Sequence, residues 1–120
     1  MRIIVAGSLT YAGDESTCRD IITGGADHIA SSRAEKGCVA YNWSIDPLEP
    51  GKIQVYEEWE SEEDLLNHFC HDSYLAMRNH LENWDLTGFG VLIYSVAGVE
   101  PVYGDDGWPR REVFGVTLGN

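Results

Sequence analysis

The chain has 120 residues, of which 43% are hydrophobic, and its 8 Lys and Arg against 20 Asp and Glu give a formal net charge of −12. This length and apolar content indicate one folded domain with its own core, not a disordered chain. The negative charge argues against nucleic acid or an anionic membrane surface as a partner, because either would be repelled.

The first half of the chain is predicted to contain a strand, a helix and a hairpin. Residues 2–10 are β-branched and apolar and precede turn residues, which indicates a strand. Apolar or small side chains at three- and four-residue steps predict one helix over 15–34, weakened in its middle by a glycine pair. Alternating side chains in 38–45 and 52–59, joined by a turn rich in proline and glycine at 46–51, predict two paired strands.

The second half is predicted to contain a broken helix and one more long strand. Ser61 precedes an acidic turn, which is typical of a helix N-cap. The apolar stripe of this helix is interrupted at 71–73 and resumes as far as Leu81. Residues 88–97 predict a strand, and the irregular segment 98–120 is expected to be an extension with one short strand, or a cap on a dimer or pocket.

The predicted order of elements is βαββαβ, which is the ferredoxin-like arrangement of an α+β domain over residues 1–97. Helices cover only one face of such a sheet. Apolar side chains on the other face would then contact water unless a second copy covered them. We therefore expect a homodimer formed through the open sheet face.

Sequence features that would indicate a membrane segment, a secreted protein or a bound cofactor are missing. No apolar stretch approaches the ~20 residues that span a bilayer, and the N-terminus reads as a strand and not as a signal peptide. Cys18, Cys38 and Cys70 are an odd number without close pairing, which is typical of a reducing compartment. No motif typical of metal, nucleotide or serine chemistry is found. We expect a cytoplasmic protein with no metal and no bound cofactor.

Three short segments occur in a characteristic order along the chain. They are Glu35-Lys36-Gly37-Cys38-Val39-Ala40-Tyr41, Tyr56-Glu57-Glu58-Trp59-Glu60-Ser61-Glu62-Glu63 and Leu65-Leu66-Asn67-His68-Phe69. Together they resemble the antibiotic biosynthesis monooxygenase (ABM) domain family over residues 2–97. The resemblance implies a dimeric α+β barrel. Characterised members include oxygenases that need no metal or flavin and act on phenols, quinols and anthrones, while others degrade haem.

The resemblance implies three catalytic candidates: His68, Trp59 and Glu57. A cofactor-free oxygenase needs a dry pocket and a base that converts its substrate to an electron-rich anion, and His68 is the expected base. The alternative is a structural histidine that hydrogen-bonds Glu57 or a backbone carbonyl. Glu57 shares a strand face with Trp59, so a carboxylate there must be paired, protonated or hydrated, with His68 or Arg78 as its partner.

The candidate substrate-binding residues are Tyr41, Tyr74 and Arg78. Tyr41, with Trp43 and Trp59, would line a flat aromatic slot suited to a small aromatic ligand, although core packing selects the same residue types. Tyr74 and Arg78 stand one helical turn apart and could bind a phenolate or a carboxylate, or form the rim of the dimer.

The sequence departs from the pattern of the haem-degrading relatives at two positions. Those relatives have an asparagine on the first strand and an iron-ligating histidine late in the last helix. In this chain the corresponding positions hold Gly7 and Arg78. Haem degradation is therefore not expected. The predicted function is a cofactor-independent monooxygenase of a small phenol, quinol or anthrone. The alternative is a non-catalytic ligand-binding or stress-related homodimer on the same fold.

Overall fold

A computed structural model of the chain describes residues 1–119, and its central element is a four-stranded sheet. The strands are β1 (Ile3–Tyr11), β2 (Cys38–Ile45), β3 (Lys52–Trp59) and β4 (Leu86–Ser95). Their order is β2-β3-β1-β4, and each neighbouring pair is antiparallel. The helices are α1 (Glu15–Gly24), α2 (Ala26–Arg33), α3 (Glu62–Cys70) and α4 (Asp72–Leu81). This is the predicted ferredoxin-like order, with the helical segment of each half divided into two helices.

The helical segment between β1 and β2 is interrupted at Gly25, so the predicted single helix over 15–34 is wrong. The helix α1 begins with a capping box, in which the Asp14 side chain accepts from the Thr17 N–H and the Thr17 hydroxyl accepts from the Asp14 N–H. Gly25 ends α1 and precedes α2. A side chain at Gly25 would lie 2.9 Å from the Met77 methyl group, so glycine lets α2 approach α4 closely.

The second helical segment is interrupted at His71, as the sequence predicts. Ser61 caps α3 by accepting from the Asp64 N–H at 3.1 Å. His71 has an extended backbone (φ −79°, ψ 150°), and its Nδ1 atom accepts from the Ser73 N–H at 3.1 Å, which caps α4. His71 and Ser73 therefore lie at the junction of the two helices.

The β2–β3 hairpin has the predicted bounds but contains a bulge near its start. The register shifts between Cys38 and Ala40. Because of this extra residue, Cys38 packs against the core and Val39 is 45% exposed, whereas strict alternation predicts Val39 on the same face as Tyr41. After the bulge Tyr41 lies opposite Glu57, which brings these two side chains together on the helix-covered face.

The hydrophobic core lies between the sheet and the helices. Its larger cluster comprises Ile3, Val5, Ile29, Tyr41, Trp59, Leu65 and Met77. A second cluster comprises Tyr11, Cys18, Ile21, Ile53 and Val55. The Trp59 side chain is fully buried between β3 and the helices. Burial of these aromatic and branched side chains is the main source of stability for the domain.

The opposite face of the sheet carries apolar side chains in contact with solvent. Pairing of Ala6 with Leu92 and of Ile4 with Tyr94 sets Leu92 and Tyr94 on this face, opposite to the buried Val5. Their exposed fractions are 60% and 49%. The strand β4 that carries them starts and ends two residues earlier than the predicted strand over 88–97.

Residues 96–119 follow the sheet and form an arm. The arm contains a small hairpin of two strands, β5 (Glu112–Val113) and β6 (Val116–Thr117), where one short strand is predicted. The Glu100 carboxylate accepts from the Phe114 N–H at 2.9 Å and from the Arg110 guanidinium. These hydrogen bonds connect distant parts of the arm to each other. Within residues 1–119, no helix is both long and apolar enough to cross a bilayer.

Candidate functional site

A cavity of about 510 Å³ lies on the helix side of the sheet, between β1, β4 and α4. Its walls are mainly apolar. The sheet contributes Val5, Leu9, Val55, Val91 and Ile93, and α4 contributes Met77 and Leu81. The side chain of Ile93 is 60% exposed, so the cavity opens to solvent beside β4. The volume and lining suit one small organic ligand.

Four of the six predicted site residues line this cavity: Tyr41, Glu57, Tyr74 and Arg78. Trp43, which is predicted to contribute to the aromatic slot, lines it as well. The other two predicted residues, Trp59 and His68, are fully buried behind the wall and do not line the cavity. Of the two ionisable catalytic candidates, Glu57 therefore reaches the cavity, whereas His68 lies behind its wall.

Glu57 is held in place by an aromatic N–H group. Its side chain is 12% exposed, and Trp59 Nε1–H donates to Glu57 Oε1 at 3.0 Å. Burial raises the pKa of Glu57 above its ordinary value, and the nearby Glu35 adds to the rise, while Trp59 and His68 oppose it. The Glu57 carboxylate is therefore a stronger base than an exposed one.

His68 lies in an aromatic box with carboxylates on two sides. Its ring centroid is 4.7 Å from that of Trp59, 5.4 Å from Tyr74 and 5.5 Å from Tyr41. His68 Nδ1–H donates to Glu35 Oε2 at 2.8 Å. A neutral ring with its proton on Nδ1 has an acceptor lone pair on Nε2.

The Nε2 atom of His68 has no hydrogen-bond partner among residues 1–119 and is buried, 3.9 Å from Glu57 Oε1. This distance exceeds that of a hydrogen bond. Arg78, the other predicted partner of Glu57, makes no ion pair with it within the described part of the chain. The Arg78 guanidinium instead donates to the Tyr74 hydroxyl at 3.4 Å.

Tyr41 and the pair of Tyr74 and Arg78 provide donors on different walls of the cavity. Burial, with a contribution from the Glu57 carboxylate, raises the pKa of Tyr41 to about 12. Its hydroxyl therefore stays protonated and can donate a hydrogen bond. Arg78 is exposed at the mouth of the cavity and adds a positive charge there. An anionic or hydroxylated aromatic ring can be held between these groups.

Glu35 is the residue that sequence reasoning missed as a partner of His68. Its side chain is 6% exposed and also accepts from the Ser73 hydroxyl at 2.7 Å. Glu35 lies 33 residues before His68 in the sequence, in the connection between α2 and β2. Helical or strand periodicity carries no information on such a contact. The one available signal is that Glu35 opens the first of the three segments that resemble the ABM family.

The position of Gly7 excludes the side chain that the haem-degrading pattern would require there. Gly7 has φ +154°, and a Cβ atom on it would lie 2.0 Å from the Gly90 carbonyl oxygen. An asparagine therefore cannot occupy this position without displacing β4. In addition, no group of three or more His, Cys, Asp or Glu side chains within residues 1–119 is arranged to hold a metal ion.

Comparison with known proteins gives one family match and several similar structures. Residues 15–80 match the family model for antibiotic biosynthesis monooxygenase. A provisionally assigned antibiotic biosynthesis monooxygenase from Deinococcus radiodurans has a TM-score of 0.73 and 19% identity, covering 85% of this chain and 99% of that one. A protein of the same provisional assignment from Nitrosomonas europaea has a TM-score of 0.70 and 14% identity, covering 80% and 90%.

SnoaB, a cofactor-independent oxygenase from Streptomyces nogalater, is also similar, with a TM-score of 0.63 and 10% identity, covering 83% of this chain and 97% of that one. No curated protein sequence gives a significant match to the chain. At these identities, the likeness to solved structures establishes a shared fold.

Proposed function

The chain belongs to the antibiotic biosynthesis monooxygenase family, and on that premise we propose that it oxidises a small planar phenol, quinol or anthrone with O2 and no cofactor. Family membership supports chemistry of the monooxygenase type. The observation that carries the proposal is the buried carboxylate of Glu57, which faces an apolar cavity with aromatic side chains in its wall. A base in a dry, aromatic site is what activation of such a substrate requires.

In the proposed reaction, Glu57 removes a proton from the bound substrate. A phenol or an anthrone is a weak acid, and the raised pKa of Glu57 narrows the gap between the base and the substrate. The Tyr41 hydroxyl, which remains protonated, stabilises the developing oxyanion by donating a hydrogen bond. Tyr74 and Arg78 hold the polar edge of the substrate at the mouth of the cavity.

The substrate anion then supplies the electrons that O2 needs. One electron passes to O2, and the resulting substrate radical and superoxide combine to form a carbon–oxygen bond. The peroxide takes up the proton and loses water, which leaves a carbonyl group. For an anthrone the balance is CH2 + O2 → C=O + H2O, so one oxygen atom enters the product and the other leaves as water.

Trp59 and His68 act through Glu57 in this proposal. Trp59 fixes the carboxylate by its N–H hydrogen bond. His68 supports Glu57 from behind the cavity wall and presents an acceptor atom to it. The sequence offers His68 either as the base or as a structural histidine beside Glu57. Its buried position favours contact with Glu57 over direct contact with substrate, and we propose that it accepts a proton from Glu57.

The proposal is tested with a panel of quinols, phenols and anthrones incubated with the protein in air and under anaerobic conditions. With ¹⁸O2, the product gains one labelled oxygen atom and the remaining label appears in water. Equal rates with and without O2 would contradict the proposal. Stabilisation of the fold by a panel compound without turnover would support the alternative of a non-catalytic ligand-binding protein.

We also propose that the working unit is a homodimer formed through the open sheet face. The fold of this family is typically dimeric. The exposure of Leu92 and Tyr94 supports this arrangement, because burial of such side chains favours association.

A further inference from the structure

A chain of polar side chains leads from the back of the cavity wall to the protein surface. It begins at His68, whose Nδ1 atom is 2.8 Å from Glu35 Oε2. The Ser73 hydroxyl lies 2.7 Å from the same Glu35 oxygen and 2.9 Å from Nδ1 of His71. His68, Glu35 and Ser73 have buried side chains, whereas the side chain of His71 is 50% exposed. The cavity reaction described above makes no use of Glu35, Ser73 or His71.

We propose that Glu35, His68, Ser73 and His71 form a proton relay that connects the cavity carboxylate of Glu57 to solvent on the far side of the wall. Three of its contacts are within hydrogen-bond distance, and the remaining gap is the 3.9 Å between Glu57 Oε1 and His68 Nε2. The use of this relay in turnover rests on the proposed function. The relay itself is a property of the ligand-free protein.

Each step of the relay moves one proton between two named atoms. The Glu57 carboxylic acid gives its proton to His68 Nε2, and the imidazolium gives its Nδ1 proton to Glu35. Glu35 then protonates the Ser73 oxygen while the Ser73 hydroxyl proton passes to Nδ1 of His71. That Nδ1 atom is unprotonated in the structure, since it accepts from the Ser73 N–H. His71 finally releases its Nε2 proton to water.

Two observations favour a relay over a set of static structural hydrogen bonds. First, the Nε2 atom of His68 is buried and has no partner within residues 1–119, although burial of an unpaired polar atom is unfavourable. Second, the Ser73 hydroxyl has two acceptors within reach, Glu35 and His71, and can donate to only one at a time. Rotation of this hydroxyl transfers its hydrogen bond from one acceptor to the other.

The need for a second route arises when the cavity is filled. An aromatic ligand that covers Glu57 separates the carboxylate from solvent on the cavity side. The Glu57 proton, which the peroxide later takes up, can then exchange with solvent only through the wall. His68 connects the two sides because its ring lies between the carboxylates of Glu57 and Glu35.

The experiment measures exchange of the His68 Nδ1 proton with solvent by NMR in the ligand-free protein of 120 residues, labelled uniformly with ¹⁵N. The exchange rate of the His68 Nδ1 proton is divided by the exchange rate of the Phe69 amide proton. The Phe69 amide lies on the same helix, so its exchange rate reports local opening of that helix. We expect Ser73→Ala to lower this ratio by at least about tenfold, because exchange then depends on local opening of the structure. His71→Asn should lower it as well, and asparagine preserves the helix cap.

Ser61→Ala is the matched control, since it removes a serine hydroxyl that caps α3 and has no contact with the relay. It should change both rates equally and leave the ratio unaltered. An unchanged ratio in either Ser73→Ala or His71→Asn would overturn the relay. No substrate is needed, so a failed oxidation assay and a failed relay are separate results.

Discussion

The substitution Glu57→Gln tests the role of the cavity carboxylate in both catalysis and stability. The amide oxygen of glutamine can still accept the Trp59 N–H hydrogen bond, so the shape of the site is preserved. The general base is lost, however. We expect kcat/KM for the oxidised substrate to fall by roughly 10²–10⁴-fold, which is the usual contribution of a positioned base.

The same substitution changes how stability depends on pH. Burial raises the pKa of Glu57 in the folded protein, so the folded state binds this proton more tightly than the unfolded state does. The free energy of unfolding of the wild type should therefore fall as pH rises from the ordinary carboxyl pKa to the raised value. The slope within this window is about 1.4 kcal/mol per pH unit for one group. Above the raised pKa this contribution of Glu57 has reduced the free energy of unfolding by its full amount, and below the ordinary carboxyl pKa it causes no reduction.

Urea unfolding of the wild type and Glu57→Gln from about pH 4 to about pH 8 measures this difference, because the remaining groups contribute similarly to both proteins. The variant should gain stability relative to the wild type as pH rises. Glu60→Gln, at an exposed position just after β3, should give a difference that is nearly constant with pH. A constant difference for Glu57→Gln as well would refute the assignment of a raised pKa to Glu57.

Three further predictions follow from other contacts. Gly7→Ala should lower the free energy of unfolding by about 1–3 kcal/mol or more, because its Cβ atom would lie 2.0 Å from the Gly90 carbonyl oxygen. A Cβ atom at Gly90 meets nothing within 4 Å, so Gly90→Ala is the control, and urea unfolding compares the two variants. Trp59→Phe removes the hydrogen bond that lowers the pKa of Glu57, so the acidic limb of the pH profile of kcat/KM should move to higher pH. If the limb does not move, this hydrogen bond does not set the pKa of Glu57. Leu92→Asp should convert the proposed homodimer to a monomer in light scattering, and a dimer that persists would exclude this part of the sheet face as the interface.

The strands of the hairpin could be predicted to the residue, because side chains in 38–45 and 52–59 alternate and a proline-rich turn separates them. The bulge at Val39 could not, since an extra residue leaves composition and alternation unchanged while it alters which side chain faces the core. The break at His71 was visible as an interruption of the apolar stripe. At Gly25 the sequence predicts a helix of lowered stability but not a break, because glycine lowers helix stability without requiring a bend.

The sequence predicts which residue types form the candidate site, but not which of them line the cavity and which lie behind its wall. Tyr41, Glu57, Tyr74 and Arg78 reach the cavity because their strand and helix faces are set by local periodicity. The distance of His68 from the cavity depends on how the large side chains around it pack, and local periodicity does not determine that packing. The pairing of His68 with Glu35 joins two distant segments and depends on the close contact of the α2–β2 connection with α4.

The interruption of the helix at His71 has an electrostatic consequence for the two carboxylates beside His68. It creates the N-terminus of α4, and Ser73, which donates to Glu35, is the second residue of that helix. The aligned peptide dipoles of a helix place about half a positive charge at this end, which favours an anion there. A continuous helix over 62–81 would offer Glu35 only the side of a helix. The break therefore gives the imidazole two unlike carboxylate neighbours: Glu35, which faces the end of a helix, and Glu57, which lies in an apolar wall.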